Sequence, residues 1–204
     1  MKNVVDVEIP KVIRDNCKFS DKGLSYPYII LEEKGIHYFK INDQYKVMEC
    51  IIEKKCTICG THLKDDMWFI GGPASAFHTN GAFNDAPVHK ACGVYALKVC
   101  PYLVYTGYKT KTDVEKLQQS FDSIKLLNNT VDFDRVPLFA FVKSSGYTVN
   151  PRSLSLKPII PYLEVEFWED GQKIPDEEGM KIVKEHFMKK YSENDLIINN
   201  FKTK

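Results

Sequence analysis

Four of the chain's six cysteines and five histidines fall into a pattern suited to metal binding. Cys56 and Cys59 form C-x-x-C followed by Gly60, and thirty residues after Cys59 comes H-x-x-C, His89 to Cys92. A zinc ion takes four N or S donors in a tetrahedron, and structural sites fill all four positions with protein. C-x-x-C-G is the make-up of a knuckle, a tight turn that aims two thiolates at one point, with glycine able to take the left-handed conformation. His89 and Cys92 share one face if Pro87 and Val88 lead into a helix, because positions i and i+3 lie together on its first turn. A knuckle, an intervening hairpin and a helix start is the layout of a treble-clef finger. The four residues are therefore expected to hold one zinc ion.

Other donors compete. Cys100 lies eight residues beyond Cys92, so a continuous helix carries it about 12 Å further along the axis. It reads as a small apolar residue before the stop at Pro101. His62 could replace His89 only if the knuckle folded back sharply, and His78 sits in a separate polar segment. Cys17 and Cys50 read as ordinary buried thiols. C-x-x-C can also be a redox pair, but no βαβ pattern surrounds it here.

The elements that must position these residues follow from periodicity. Residues 1–25 begin with an alternating run closed by Pro10, then a polar connection at Arg14-Asp15-Asn16. Residues 26–41 read as a β-hairpin turning at Glu33-Lys34-Gly35. Asn42 or Asp43 can cap a helix with Tyr45, Met48, Ile51 and Ile52 at helical spacing. Met67 to Ile70 is a strand, Gly71-Gly72-Pro73 a turn, Ala74 to Asp85 a loop, and His89 to Val99 the ligand helix. Thr112-Asp113-Val114-Glu115 is a capping box for a helix with Val114, Leu117, Phe121 and Ile124 on its core face. Val136 to Val142 and Ile159 to Trp168 read as strands, and Tyr147 to Val149 as a strand returning from a Ser144-Ser145-Gly146 turn. Glu164, Glu166 and Trp168 share one face of the second strand, which reads as its solvated face. Met180, Val183, Phe187 and Tyr191 form the buried stripe of a final helix.

The fold expected is α+β, with a treble-clef-like module (about residues 50–104) embedded between an N-terminal hairpin and helix and a strand-rich section with two helices. Residues 1–104 and 105–204 are expected to pack as one globular unit. The chain has 204 residues, 44% of them apolar, enough to bury a core without disulfide staples. The knuckle and the lack of a signal-peptide pattern point to a reducing, cytoplasmic setting. No apolar run approaches the roughly 20 residues of a membrane span. With 28 basic against 27 acidic residues, the balance does not favour a chain that holds nucleic acid through phosphates.

Laid end to end, the chain resembles a bacterial and phage family of zinc-site proteins of unknown function. The likeness rests on Tyr26-Pro27, the G-x-x-x-F-x-I run from Gly35 to Ile41, C-T-I-C-G-T-H-L, F-I-G-G-P (Phe69 to Pro73), the segment from Ala86 to Leu103, and V-E-F-W-E-D-G-Q-K-I (Val165 to Ile174). C-x-x-C-G and H-x-x-C-x-x-x-A-x-x-x-C-P are its specific parts. Family members carry a further Cys shortly after the G-P. Ala74, Ser75 and Ala76 stand here, so no ligand carries over at that point. The resemblance implies a metal site at Cys56, Cys59, His89 and Cys92, and no reaction.

Three function classes remain open on sequence alone, together with a nucleic-acid-binding reading without catalysis. A non-enzymatic, zinc-stabilised binding protein with a protein partner needs only the closed site. A ββα-metal nuclease built on a treble clef needs a general base and a metal carboxylate, for which His78, Asn80 and Asp85 are the available set. A zinc deaminase would need His-x-Glu and Pro-Cys-x-x-Cys. Here Ala91 stands in place of the Glu, and Lys55 rather than Pro precedes Cys56.

Overall fold

The computed structural model describes residues 7–104 and 136–197. The capping-box helix expected from Thr112 lies outside the described residues. The architecture is α+β. Pro10 starts a short helix α1 (Lys11–Asn16), where the sequence reading placed a polar connection. Fixed φ at the helix start and the apolar anchor Ile13, fully buried, outweigh the polar composition of Arg14-Asp15-Asn16. The Cys17 thiol, just past α1, donates to Ile58 O at 3.3 Å, which ties this helix to the knuckle.

Strands β1 (Ile30–Glu33) and β2 (Ile36–Asn42) form the expected antiparallel hairpin. Lys34 and Gly35 both have positive φ, the requirement of a two-residue type I′ turn. Asp43 then caps α2 (Gln44–Glu53), its carboxylate accepting from Tyr45 N and Lys46 N. The buried face of α2 matches the expected stripe only at Ile51. Cys50 and Ile51 are buried and Val47 packs on the core, whereas Tyr45 is 89% and Ile52 71% exposed. Positions 47, 50 and 51 keep helical spacing just as the expected 45, 48, 51 and 52 do, and the two sets share Ile51. Tertiary packing picks the first set, and Tyr147 Oη donates to Ile51 O at 2.8 Å on that side.

The main sheet has four antiparallel strands in the order β3 (Met67–Gly71), β4 (Phe139–Ser144), β7 (Glu164–Glu169) and β8 (Gln172–Ile174). Phe139 to Val142 are all buried, as a central strand covered on both faces must be. One face receives α4 (Lys90–Val99), with Gly93 against the Phe141 ring. The other receives α3 (Pro73–Phe77) and α6 (Asp176–Lys190), where Phe77 and Gly179 meet Phe167. A short helix α5 (Pro101–Val104) follows α4. Among the described residues no helix is long and apolar enough to cross a membrane.

Three further expectations are corrected. Residues 73–77 are helical rather than loop, with Pro73 in the first turn and Ala74, Ala76 and Phe77 buried. Gly71 and Gly72 do not serve a positive-φ turn. A Cβ at either would strike Phe83 or Val136, so they are small because side chains press on them. Tyr147–Val149 (β5) does not return along β4 but pairs with β6 (Leu156–Pro158). The buried Ser144 hydroxyl lies 2.7 Å from Gly146 O and 2.8 Å from Ile159 O, which turns the chain out of the sheet.

The face of β7 carrying Glu164, Glu166 and Trp168 is solvated only at Glu164, and its other two residues are buried. Glu166 is 7% and Trp168 4% exposed. Lys90 Nζ, at the start of α4, reaches Glu166 at 3.3 Å and Glu164 at 3.1 Å, and Lys173 reaches Glu166 at 3.1 Å. Trp168 Nε1 donates to Glu166 Oε2 at 3.2 Å. The Glu166 carboxylate can be buried because Lys90 and Lys173 neutralise it, an arrangement that strand periodicity cannot reveal.

Gly93 decides how closely α4 approaches the sheet. An exposed mid-helix Gly→Ala change stabilises by about 1 kcal/mol. Here the new methyl would drive into the fully buried Phe141 ring. Gly93→Ala is therefore expected to destabilise by about 1–3 kcal/mol in urea unfolding, as overpacking does.

Candidate metal centre

Two local structures converge on the site. The knuckle is held by Cys56 N donating to Thr61 O and Gly60 N to Cys56 O, both at 2.8 Å, and by a bridge between Lys55 and His62. Gly60 has φ +73°, and a Cβ there would strike the Tyr28 ring, so both conformation and contact require glycine. The second half arrives by strand pairing. Trp68 and Val88 exchange two backbone hydrogen bonds, at 3.0 and 2.8 Å, which lays Val88 beside β3. His89 follows as the residue preceding the first turn of α4, and Cys92 lies within that turn.

The donor atoms of Cys56, Cys59, His89 and Cys92 all lie within 4.8 Å of one another, with the three cysteines buried. His89 Nδ1 is 3.4 Å from Cys59 Sγ and 4.0 Å from Cys92 Sγ. A tetrahedral ion with M–S near 2.3 Å and M–N near 2.05 Å would set an N–S edge of about 3.6 Å, between these two values. The four residues fit a four-coordinate metal ion, and among the described residues no other group of three or more His, Cys, Asp or Glu does.

The surrounding contacts fix the donors. His89 Nε2 lies 3.0 Å from His62 O. A carbonyl only accepts, so Nε2 carries the hydrogen and Nδ1 faces the sulfurs, the arrangement in which outer partners orient ligand histidines. Thr61 Oγ1 sits 3.2 Å from Cys59 Sγ. Asp66 works from outside the helix: Oδ2 accepts from Lys90 N at 3.0 Å and Oδ1 from Trp68 Nε1 at 2.7 Å. It thus caps the ligand helix, which His89 leaves without a side-chain cap. Sequence reasoning missed Asp66, Thr61 and the His62 carbonyl. A contact 24 residues along the chain leaves no local signal.

The rival donors lie elsewhere. The His62 ring bonds through Nδ1 to Glu53 O at 3.0 Å. Cys100 forms the C-cap of α4, and no described metal group includes it. Cys17 and Cys50 are pushed up to about 12 by burial and neighbouring sulfurs, so both are neutral thiols. Of the set considered for a nuclease, His78 and Asn80 are in contact, and neither lines the cleft that Asp85 lines. His78 Nδ1 accepts from Asn80 N at 2.9 Å and its ring packs on Tyr191 and Phe187, while Asp85 lines a separate cleft. Comparison with protein-family models, with curated proteins and with solved structures finds no match to this chain.

Without an ion, the cluster arranges its own protons. Hydrogen bonds to Cys56 and then Cys92 hold the Cys59 thiol far below its ordinary range. Contact with the Cys56 and Cys59 sulfurs pushes Cys92 well up, and the same two sulfurs raise His89 to about 10. At pH 7 the metal-free form therefore carries protons on His89 and Cys92 that a bound metal must displace. Each proton released adds about tenfold to affinity per pH unit. Metal affinity is expected to rise at least about a hundredfold per unit between pH 6.5 and 7.5, measured by competition with a chelator of known pH dependence. A slope below one proton would contradict this assignment.

Asp66→Ala strands the indole N–H of the fully buried Trp68. The expected cost is about 1–3 kcal/mol in denaturant unfolding. Asp66→Asn should recover part of it, since its Oδ1 still accepts from Trp68 while its NH₂ faces the Lys90 amide.

Proposed function

We propose that this protein is a non-enzymatic binding protein whose fold is fastened by one structural zinc ion at Cys56, Cys59, His89 and Cys92. The observation that carries the reading is the donor set: three buried sulfurs and one imidazole nitrogen within 4.8 Å of one another. Three thiolates and an imidazole suit zinc among the common divalent ions. Protein atoms fill all four positions, leaving none for a water or substrate to react at the metal. A knuckle paired with a helix start supports the treble-clef description of the module.

Exposed apolar side chains support a protein partner. Ile36 and Phe39 on β2 and Tyr45 and Ile52 on α2 are large apolar residues left in solvent, within the stretch directly preceding the knuckle. The zinc would hold the base of this hairpin and helix rigid, which limits the ordering cost of association. The likeness to bacterial and phage zinc-site proteins fits an accessory factor that acts on a host protein or complex in the bacterial cytoplasm.

Elemental analysis of purified protein should give one zinc per chain. Cys59→Ala should lose it and unfold at least the module, because structural metal binding is folding free energy, about 10–16 kcal/mol in isolated zinc-finger peptides. Retention of full metal content and thermal stability by Cys59→Ala would overturn the site. Plasmid nicking with Mg²⁺ or Mn²⁺ that disappears in His78→Ala would overturn the non-enzymatic reading and leave the zinc site standing.

A further inference from the structure

The outer edge of β2 offers backbone groups that no described residue uses. β1 and β2 form a sheet of two strands, so each has one neighbour. The two-residue turn makes Glu33 and Ile36 a hydrogen-bonded pair, and successive pairs of an antiparallel ladder alternate between bonded and unbonded. Glu32 and His37 are therefore an unbonded pair, with the His37 N–H and C=O turned away from β1. Among the described residues no backbone group outside β1 bonds to the run from Ile36 to Ile41. Ile36 is 58%, Phe39 49% and Tyr38 36% exposed along it. An apolar edge of this kind is a template for pairing with another chain.

Beyond Tyr38 the ladder breaks. Leu31 lies opposite Tyr38 but Ile30 lies opposite Asn42, so residues 39–41 have no counterpart on β1. Phe39 and Asn42, at either end of this bulge, line an apolar cleft of about 420 Å³ with Ile30, Ile58 and Ile70 on its wall. The free edge thus runs into a pocket of a size that takes a large apolar side chain. Charge sets the kind of occupant. The hairpin's acids stand on β1, where Lys18 and His37 take up Glu32. Lys34 and Lys40 bracket the free run of β2. Two copies meeting antiparallel about His37 would set the Lys40 end of each strand against the Lys34 turn of the other. Like charges opposite one another disfavour that pairing. An acidic strand meets the same edge with opposite charge.

We propose that β2 binds an extended segment of a partner protein as a third strand. The segment has acidic residues toward its ends and one large apolar side chain that enters the cleft beside Phe39. This rests on the binding-protein reading and names the kind of partner it takes. The outward His37 N–H and C=O supply main-chain hydrogen bonds, while the cleft and the two lysines select the sequence.

The test selects peptides from a random display library on full-length, metal-loaded protein, then titrates the recovered sequences as synthetic peptides by ¹H–¹⁵N NMR. Acidic residues flanking a large apolar one are expected, with saturable shifts along β2 and slower hydrogen exchange of the His37 amide on binding. N-methylation at alternate peptide amides should weaken binding at least about tenfold, and at the intervening amides much less. His37→Pro removes the outward N–H at a position where an edge strand tolerates proline, and should weaken binding by a similar factor with thermal stability retained. If that variant fails to fold, the N-methylation pattern on the wild-type protein decides by itself. Peptides that bind away from β2, that ignore N-methylation, or that are basic would overturn the proposal and leave the binding-protein reading standing. Recovery of no binding peptide would also overturn it. The binding-protein reading fails separately, on the nicking assay.

Discussion

Two backbone hydrogen bonds between Trp68 and Val88 are the contact on which the arrangement depends. The knuckle can form from local sequence, since Cys56 to Thr61 closes its own bonds. The helix bearing His89 and Cys92 has no such local reason to lie near it. Pairing Val88 to β3 brings that helix within reach, and the same strand is paired on its other edge to β4. The metal site is thus registered to the main sheet through one strand. A slip of one residue in the Trp68–Val88 pairing would turn the following side chains to the opposite face.

The sheet in turn relies on charges placed where strand periodicity would put water. Lys90 adjoins ligand His89, stacks over the Trp68 ring at 4.4 Å and pairs with Glu164 and Glu166. It links the first turn of α4 to β7 across 74 residues of sequence. Glu166 keeps three partners, Lys90, Lys173 and the Trp168 indole, so its burial leaves no orphaned charge. The helix that supplies two donors is seated on the sheet by methyl-free contact at Gly93 and by this ion network together.

What could be read from the chain follows from which interactions are local. The knuckle, the type I′ hairpin at Lys34-Gly35, the Asp43 cap, the β3 strand and the stripe of α6 are set by residues within a few positions of one another, and the sequence shows them. The inner face of α2, the helix at Pro73, the departure of β5 at Ser144 and the burial of Glu166 depend on partners far along the chain. On α2 the buried side is centred on Cys50 and Ile51, where Tyr147 docks, and Tyr45 and Ile52 of the expected stripe stay in solvent. The two donor pairs, Cys56 with Cys59 and His89 with Cys92, were legible because the spacing within each pair is local. Their outer contacts, Asp66 and the His62 carbonyl, were not.

A division of labour at the start of α4 follows. A residue preceding a helix normally satisfies a free backbone N–H with its own side chain. His89 cannot, because its Nδ1 faces the sulfurs and its Nε2 is committed to His62 O. Asp66 takes over the capping role and at the same time holds the indole of the strand that pairs with Val88. The electrostatics agree. A divalent ion with three thiolates and a neutral imidazole carries one net negative charge, and the N-terminal end of a ten-residue helix, with its partial positive charge, is a favourable place for it. Cys92 lies within the first turn, where that field is strongest, so the helix that delivers the last thiolate also stabilises the charge the completed centre would bear.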